Sequence, residues 1–289
     1  MSALVSPASL TLKPKTGFWR TPKMFWSTII FGSILLLAIL GPMIGPDPNA
    51  INPEIPTAPP WPMVGFAPGH YFGTDDLGRD LFSRLAVGAR ISLLIGLATA
   101  VVSVIIGTLY GTLSAIFEGK LDTAMMRLID IIYSLPGLMI VILFSVFMGR
   151  SVTSLVLALS LFSWPDTARI IRGQVLSIKR EEFVEAFHSI GGSLSRLIWR
   201  HYIPNTAGLI VLTATITVPR AILTESTLSF IGLGVEPPLS SWGTLAGEGW
   251  QLVRVAPHML LFPAVMIFIT MIALNLLGDG LREVFDPKK

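Results

Sequence analysis

The chemistry open to this chain is narrow. His70, His188, His201 and His258 are scattered, and none forms the His-Glu-x-x-His pair that would hold a catalytic zinc. There is no cysteine, which excludes disulfides, thiolate metal sites and thiol redox chemistry. Gly119-Lys120 is followed by Leu121, and no Gly-x-x-x-x-Gly-Lys-Ser/Thr loop occurs, so the phosphate cradle of P-loop ATP hydrolysis is missing. Gly232 and Gly234 make a lone Gly-x-Gly, with no third glycine after it and no strand pattern before it. What remains is a set of ionisable residues in or beside apolar sequence: Asp130, Asp166, Arg220 and Glu225. A charge at membrane depth faces a protein interior or a watery path, because lipid solvates it poorly. The chemistry on offer is therefore electrostatic. Arg220 and Glu225 are candidates for lining the path of a charged solute; the alternative is an interface position or a structural ion pair, such as Arg127 with Asp130.

Those charges need membrane helices to hold them. Of 289 residues, 52% are apolar and only 13% charged, with mean hydropathy +0.70. That composition describes an all-α, polytopic membrane protein. Six spans are predicted: 24–45, 91–117, 128–148, 152–165, 206–222 and 259–277. The fourth has only fourteen strongly apolar residues; continuing its helix to Ile171, with Arg169 and Arg172 snorkelling, lets it cross. The first is too long for a signal-peptide core and lacks a cleavage site, so it reads as an uncleaved span behind a basic tail, residues 1–23. Residues 47–68 are proline-rich and predict an extended loop. Thr74 or Asp75 is positioned to cap a short interfacial helix carrying Leu77, Leu81 and Leu85. The glycines and prolines of 227–249 predict an irregular connection.

The longest polar segment is residues 181–205. Phe183, Phe187, Ile190, Leu194 and Leu197 fall in steps of four, three, four and three, which places one apolar stripe on a helix. Gly191-Gly192 breaks it, and Pro204 is expected to close it. Two short amphipathic helices with a bend result, a segment built to lie against something else.

This segment resembles the cytoplasmic loop of ABC importer permeases. Glu185, Ala186, Gly191, Ile203 and Pro204 match that pattern, with Phe187 where a second alanine is usual. Residues 73–93, 227–249 and 275–288 are similar to the dipeptide/oligopeptide/nickel branch, C-type chain. The resemblance implies a type I ABC importer permease fold in a bacterial or archaeal plasma membrane. It implies that Glu185, Ala186, Phe187, Ile190, Gly191 and Pro204 form the coupling helix that docks on an ATPase subunit. It also implies a second permease chain, two ATPase subunits carrying ATP and Mg, and an extracytoplasmic solute-binding protein, with lipid around the spans. No cofactor is expected in this chain, and no nucleic acid partner. On this reading residues 24–85 are the first span with its periplasmic loop and interfacial helix. Residues 86–289 are the permease core, five spans with a coupling loop at 172–205. Di- or oligopeptides are the implied cargo, with nickel chelates or oligosaccharides as the alternative.

Charge bias gives an orientation independently. With the N-terminus inside and six crossings, fifteen of the 21 lysines and arginines fall inside; Arg79, Arg84, Arg90, Arg150 and Arg254 fall outside, and Arg220 lies in a span. Cytoplasmic loops carry such an excess, so both termini and the Glu185 loop are assigned to the cytoplasm. An ion-coupled secondary transporter using Asp130 and Glu225 is the rival reading, but the inverted repeats usual for that class are not visible in the sequence.

Overall fold

The computed structural model describes residues 22–285. The basic tail with Lys13, Lys15 and Arg20, and the terminal Lys288 and Lys289, lie outside them. Among the described residues the fold is helical, with a single isolated bridge between Thr74 and Asp80. The elements are α1 (Pro22–Ile44), α2 (Leu81–Phe117), α3 (Gly119–Ser134), α4 (Gly137–Met148), α5 (Val152–Ile178), α6 (Glu182–Ser189), α7 (Leu194–Leu197), a π turn (Ile198–Tyr202), α8 (Ile203–Phe230), α9 (Trp242–Gln251) and α10 (His258–Phe285).

The long central helix α2 organises the rest, packing most extensively on α5 and then on α8. Small residues let the backbones approach, as they do between membrane helices generally. A Cβ on Gly107 would stand 2.7 Å from the Trp164 carbonyl oxygen, and one on Gly111 2.3 Å from that of Ala168. These two glycines, one helical turn apart, set the α2–α5 distance. Ile95, Leu155, Ala158 and Leu228 fill the core between α2, α5 and α8, all fully buried.

Among the described residues four helices are long and apolar enough to cross a membrane: α1, α2, the continuous stretch Leu194–Phe230, and α10. A fifth arises if α3 and α4 count as one span, bent by 82°. The bend falls at Leu135-Pro136, where the residue before proline takes an extended conformation (ψ 142°) and α3 must stop. Helix α5 is less apolar than these, because Asp166, Arg169 and Arg172 lie along it. It is nevertheless one helix of 27 residues, started by a Ser151/Ser154 capping box and continuing past the predicted Ile171. Arg169 and Arg172 do not snorkel free; they pair with Asp130 and Asp122 of α3.

Three local expectations are corrected. The interfacial helix after the proline-rich loop is not separate. Asp80, rather than Thr74 or Asp75, caps it, accepting from the Ser83 amide at 2.7 Å, and from Leu81 the helix runs unbroken into the second span. Thr74 and Asp75 are consumed by the loop: Thr74 Oγ1 accepts from the Ala58 amide, and Asp75 accepts from the amides of Leu77 and Arg79. Second, 227–249 is less irregular than its composition suggests, since α8 continues to Phe230 and α9 starts at Trp242 behind a Ser241/Thr244 capping box. Third, Pro204 does not close the polar segment. Ile203 is helical, and the chain widens into a π turn just before the proline. Proline removes an amide donor, and the wider turn ahead of it lets the helix continue. Asn205 Nδ2 donates to the His201 carbonyl at 2.7 Å, one turn before it.

Candidate functional sites: an exposed helical loop and a charged cavity

The loop is anchored at one end and open at the other. Val184, Leu197 and Tyr202 are buried with Ala115, Ile171, Val175 and Ile178, tying α6 and α7 to the ends of α2 and α5. Lys179 fixes the same corner: its ammonium donates to the Ile116 carbonyl at 3.1 Å and pairs with Glu118 at 3.0 Å, satisfying the last turn of α2. Phe187 is half-buried, its ring 5.3 Å from that of His201, and Phe183 lies 5.7 Å from the same ring.

The other predicted loop residues stand outward. Glu185, Ala186 and Pro204 are exposed, and Ile190 is 81% exposed. Leu194 and, in the π turn, Trp199 are exposed as well. The bend is where the sequence puts it: Gly191 has φ +75°, a left-handed conformation that side chains with a Cβ adopt at a cost. Its neighbour Gly192 is required for space, because a Cβ there would meet the Phe187 ring at 2.1 Å. Periodicity missed Val184, the deepest anchor of α6, because the stripe through Phe183 and Phe187 runs along its flank.

The second site lies midway along the helices. A cavity of about 340 Å³ opens between α4, α5 and α8, with Leu138, Phe162, Asp166, Thr217, Arg220 and Thr224 among its walls. Arg220 Nη1 donates to Asp166 Oδ2 at 3.3 Å. The other oxygen, Oδ1, accepts from the Tyr133 phenol. Arg169 lies over the Tyr133 ring, 4.6 Å from its centroid, and pairs with Asp130. The predicted Arg127–Asp130 pair is present but long, at 3.8 Å.

Arg220 and Glu225, named together as pathway candidates, are not brought together. Five residues apart on α8, they project in different directions. Arg220 is 70% exposed on the cavity. Glu225 is fully buried where α8 meets α2 and α9, accepting from Ser229 at 2.6 Å, Ser92 at 3.2 Å and Ser226 at 3.4 Å. Ser92 also accepts from the Trp242 amide, so the carboxyl sits within a serine-lined joint that holds the start of α9.

A third ionic cluster was not read as a site from the sequence. Asp75 accepts from Arg79 at 2.7 Å and Arg84 at 2.6 Å, and Arg84 reaches across to Glu248 of α9 at 2.6 Å. It lies at the N-terminal end of α2, opposite the end that holds the α6–α7 loop.

Comparison with known proteins gives the family and the fold. Residues 103–289 match the family described as "Binding-protein-dependent transport system inner membrane component". The chain is 44% identical to the "Oligopeptide transport system permease protein OppC" of Bacillus subtilis (strain 168), covering 90% of this chain and 84% of that one. It is 46% identical to the protein of the same name from Escherichia coli (strain K12), covering 98% and 93%. It is 42% identical to the "Dipeptide transport system permease protein DppC" of Bacillus subtilis (strain 168), covering 88% and 78%. Among solved structures, a chain of the inward-facing MetNI methionine ABC transporter superposes with TM-score 0.58 at 18% identity, over 70% of this chain and 97% of that one.

Proposed function

Because the chain belongs to the family of binding-protein-dependent transport inner membrane components, we propose that it is a permease subunit of an ATP-driven peptide importer. The relatives named for oligopeptide and dipeptide transport, similar over most of their length, support the cargo class. On this reading the chain crosses the membrane six times, with α3–α4 as one bent span and α5 as another. Both termini are cytoplasmic, as the lysine and arginine bias favours. A second permease chain, two ATPase subunits holding ATP and Mg, and an outer solute-binding protein complete the importer.

The observation that carries the mechanism is the continuity of Leu194–Phe230. The exposed α6–α7 edge, with Ile190, Leu194 and Trp199, is the docking face for an ATPase, since a compact exposed apolar patch marks an interface. From α7 the helix continues through the π turn and past Pro204 and Pro219 to Arg220. Movement of the loop when the ATPases close is thereby delivered to the cavity along one continuous helix. The chain itself breaks no bond: it supplies the lever and part of the path.

Reconstitution of the complete complex tests this. Gly191→Asp, which strains a left-handed position, and Glu185→Lys, which reverses an exposed charge, are expected to leave the permease pair assembled. Both should lower substrate-stimulated ATP hydrolysis and transport together, with basal hydrolysis kept. In the same cysteine-free background, a cysteine at exposed Ser195 should react only from the ATPase side, and one at Val64 only from the opposite side. Normal stimulated hydrolysis in both loop variants, or labelling from the reverse sides, would remove the mechanism.

A further inference from the structure

We propose that Asp166 and Arg220 form a zwitterion clamp, an ion pair that opens to receive the ammonium and carboxylate groups of a peptide passing through the cavity. This rests on the peptide-importer reading above and adds to it the groups that would recognise the cargo.

The pair is placed for exchange rather than for holding the fold. Arg220 is 70% exposed and Asp166 53%, and Asp166 is the only acid within ion-pair reach of Arg220 among the described residues. Exposed pairs of this kind contribute little to stability, so parting them costs little. Yet both groups lie midway along long helices, where contact with lipid would be costly. Their open side must therefore face water or another protein chain. A polar pair that is open, mid-helix and beside a cavity is what a charged solute would meet.

The surroundings divide the labour. Asp166 is held by the Tyr133 phenol through Oδ1, while Arg220 uses Oδ2. When Arg220 turns away, Asp166 keeps its orientation and presents a free oxygen to an ammonium group. Arg169, the cation over the Tyr133 ring, is already engaged by Asp130 and by that ring face. Arg220 is then free for a carboxylate, and the first turn of α4, which carries no side-chain cap, borders the same cavity. Helix N-termini favour anions, so that end of the cavity suits the carboxylate.

The remaining walls include Leu138, Val141, Leu159 and Phe162, apolar and without directional demands. Recognition would thus fall on the two charged ends that all unmodified peptides share, while the side chains meet a permissive surface. A cavity of about 340 Å³ accommodates part of a peptide and leaves the rest to the facing permease chain.

The chain has no native cysteine, so a single Thr224→Cys in the cavity wall reports occupancy through its rate of thiol modification. The whole complex is reconstituted, and Ala-Ala-Ala is compared with N-acetyl-Ala-Ala-Ala-amide. Uncapped peptide is expected to slow modification about tenfold, the effect of roughly one charge-assisted hydrogen bond. The capped peptide should not slow it. Asp166→Asn and Arg220→Gln should each abolish that protection, and Asp166→Glu should restore part of it. The capped-against-uncapped comparison needs no substitution at either charge and is made with peptide added on the ATPase side, away from the solute-binding protein, so it reads the cavity even if a variant fails to assemble. Equal protection by both peptides, or full protection in Asp166→Asn and Arg220→Gln, overturns the clamp while import of Ala-Ala-Ala by the unsubstituted complex keeps the peptide reading. A complex that imports no peptide overturns both.

Discussion

The chain holds two ionic clusters of nearly the same composition and opposite setting. At the start of α2, Asp75 is fully buried and Arg84 is 4% exposed, with every oxygen of Asp75 engaged by side chains and amides. In the middle of α5 and α8, Asp166 and Arg220 are more than half exposed and share a single hydrogen bond. Acid and guanidinium are the same in both; solvent access is not. Buried charges cannot exchange partners without stranding a neighbour, so the first cluster locks three segments together. Open charges can exchange, so the second is free to serve a solute.

Breaking the lock should have the largest effect. Arg84→Ala removes one of the two guanidiniums on the buried Asp75 and takes away the close partner of Glu248; Arg79 stays on Asp75, so about 3–5 kcal/mol, the cost of a buried charge left wholly unpaired, is the upper bound. The expected outcome is a permease depleted from the membrane or with a sharply lowered thermal unfolding midpoint. Glu248→Gln sharpens the comparison from the edge of the same cluster. Glu248 is 36% exposed, so water can replace part of what is lost, and a smaller drop in midpoint is expected, without loss of the protein from the membrane. Asp166→Asn should move the unfolding midpoint least of the three while transport falls. If Asp166→Asn destabilises the complex as much as Arg84→Ala, the contrast between lock and clamp fails.

The contrast was only half legible in the sequence. The four mid-membrane charges stand out because their surroundings are apolar, but nothing in the chain says that Asp166 meets Arg220 while Glu225 turns into a serine-lined joint. Those pairings join residues 54 and 133 positions apart and depend on how α2, α5 and α8 pack. The Asp75–Arg84 cluster was hidden for the opposite reason. Its residues sit in a polar stretch where charges look ordinary, and its third member comes from α9. The bend at Gly191 was legible because a glycine pair leaves few alternatives, and the same local reasoning failed at Pro204. The rule that proline ends a helix assumes a regular α-helix on both sides; here a π turn precedes Pro204 and the helix continues. Spans with a uniform apolar run were readable in place, though not in extent, while α3, α4 and α5 mix charge, proline and apolar residues that only packing could resolve.

The length of α2 has a consequence for how the protein sits in a bilayer. Its 37 residues extend about 55 Å at the usual helical rise, against a hydrocarbon layer of about 30 Å. Membrane helices seldom tilt beyond about 40°, and even that tilt would immerse only about 26 residues. A stretch on the order of ten residues must therefore overhang, and the end carrying Arg84 and Arg90 is the one suited to do so. Arg90 donates there to the Ala38 and Ile39 carbonyls, joining the overhang to the end of α1. Such a protruding post makes the fit between protein and bilayer insensitive to membrane thickness at that surface, because a thicker or thinner leaflet only slides along a helix already braced by its own ionic collar.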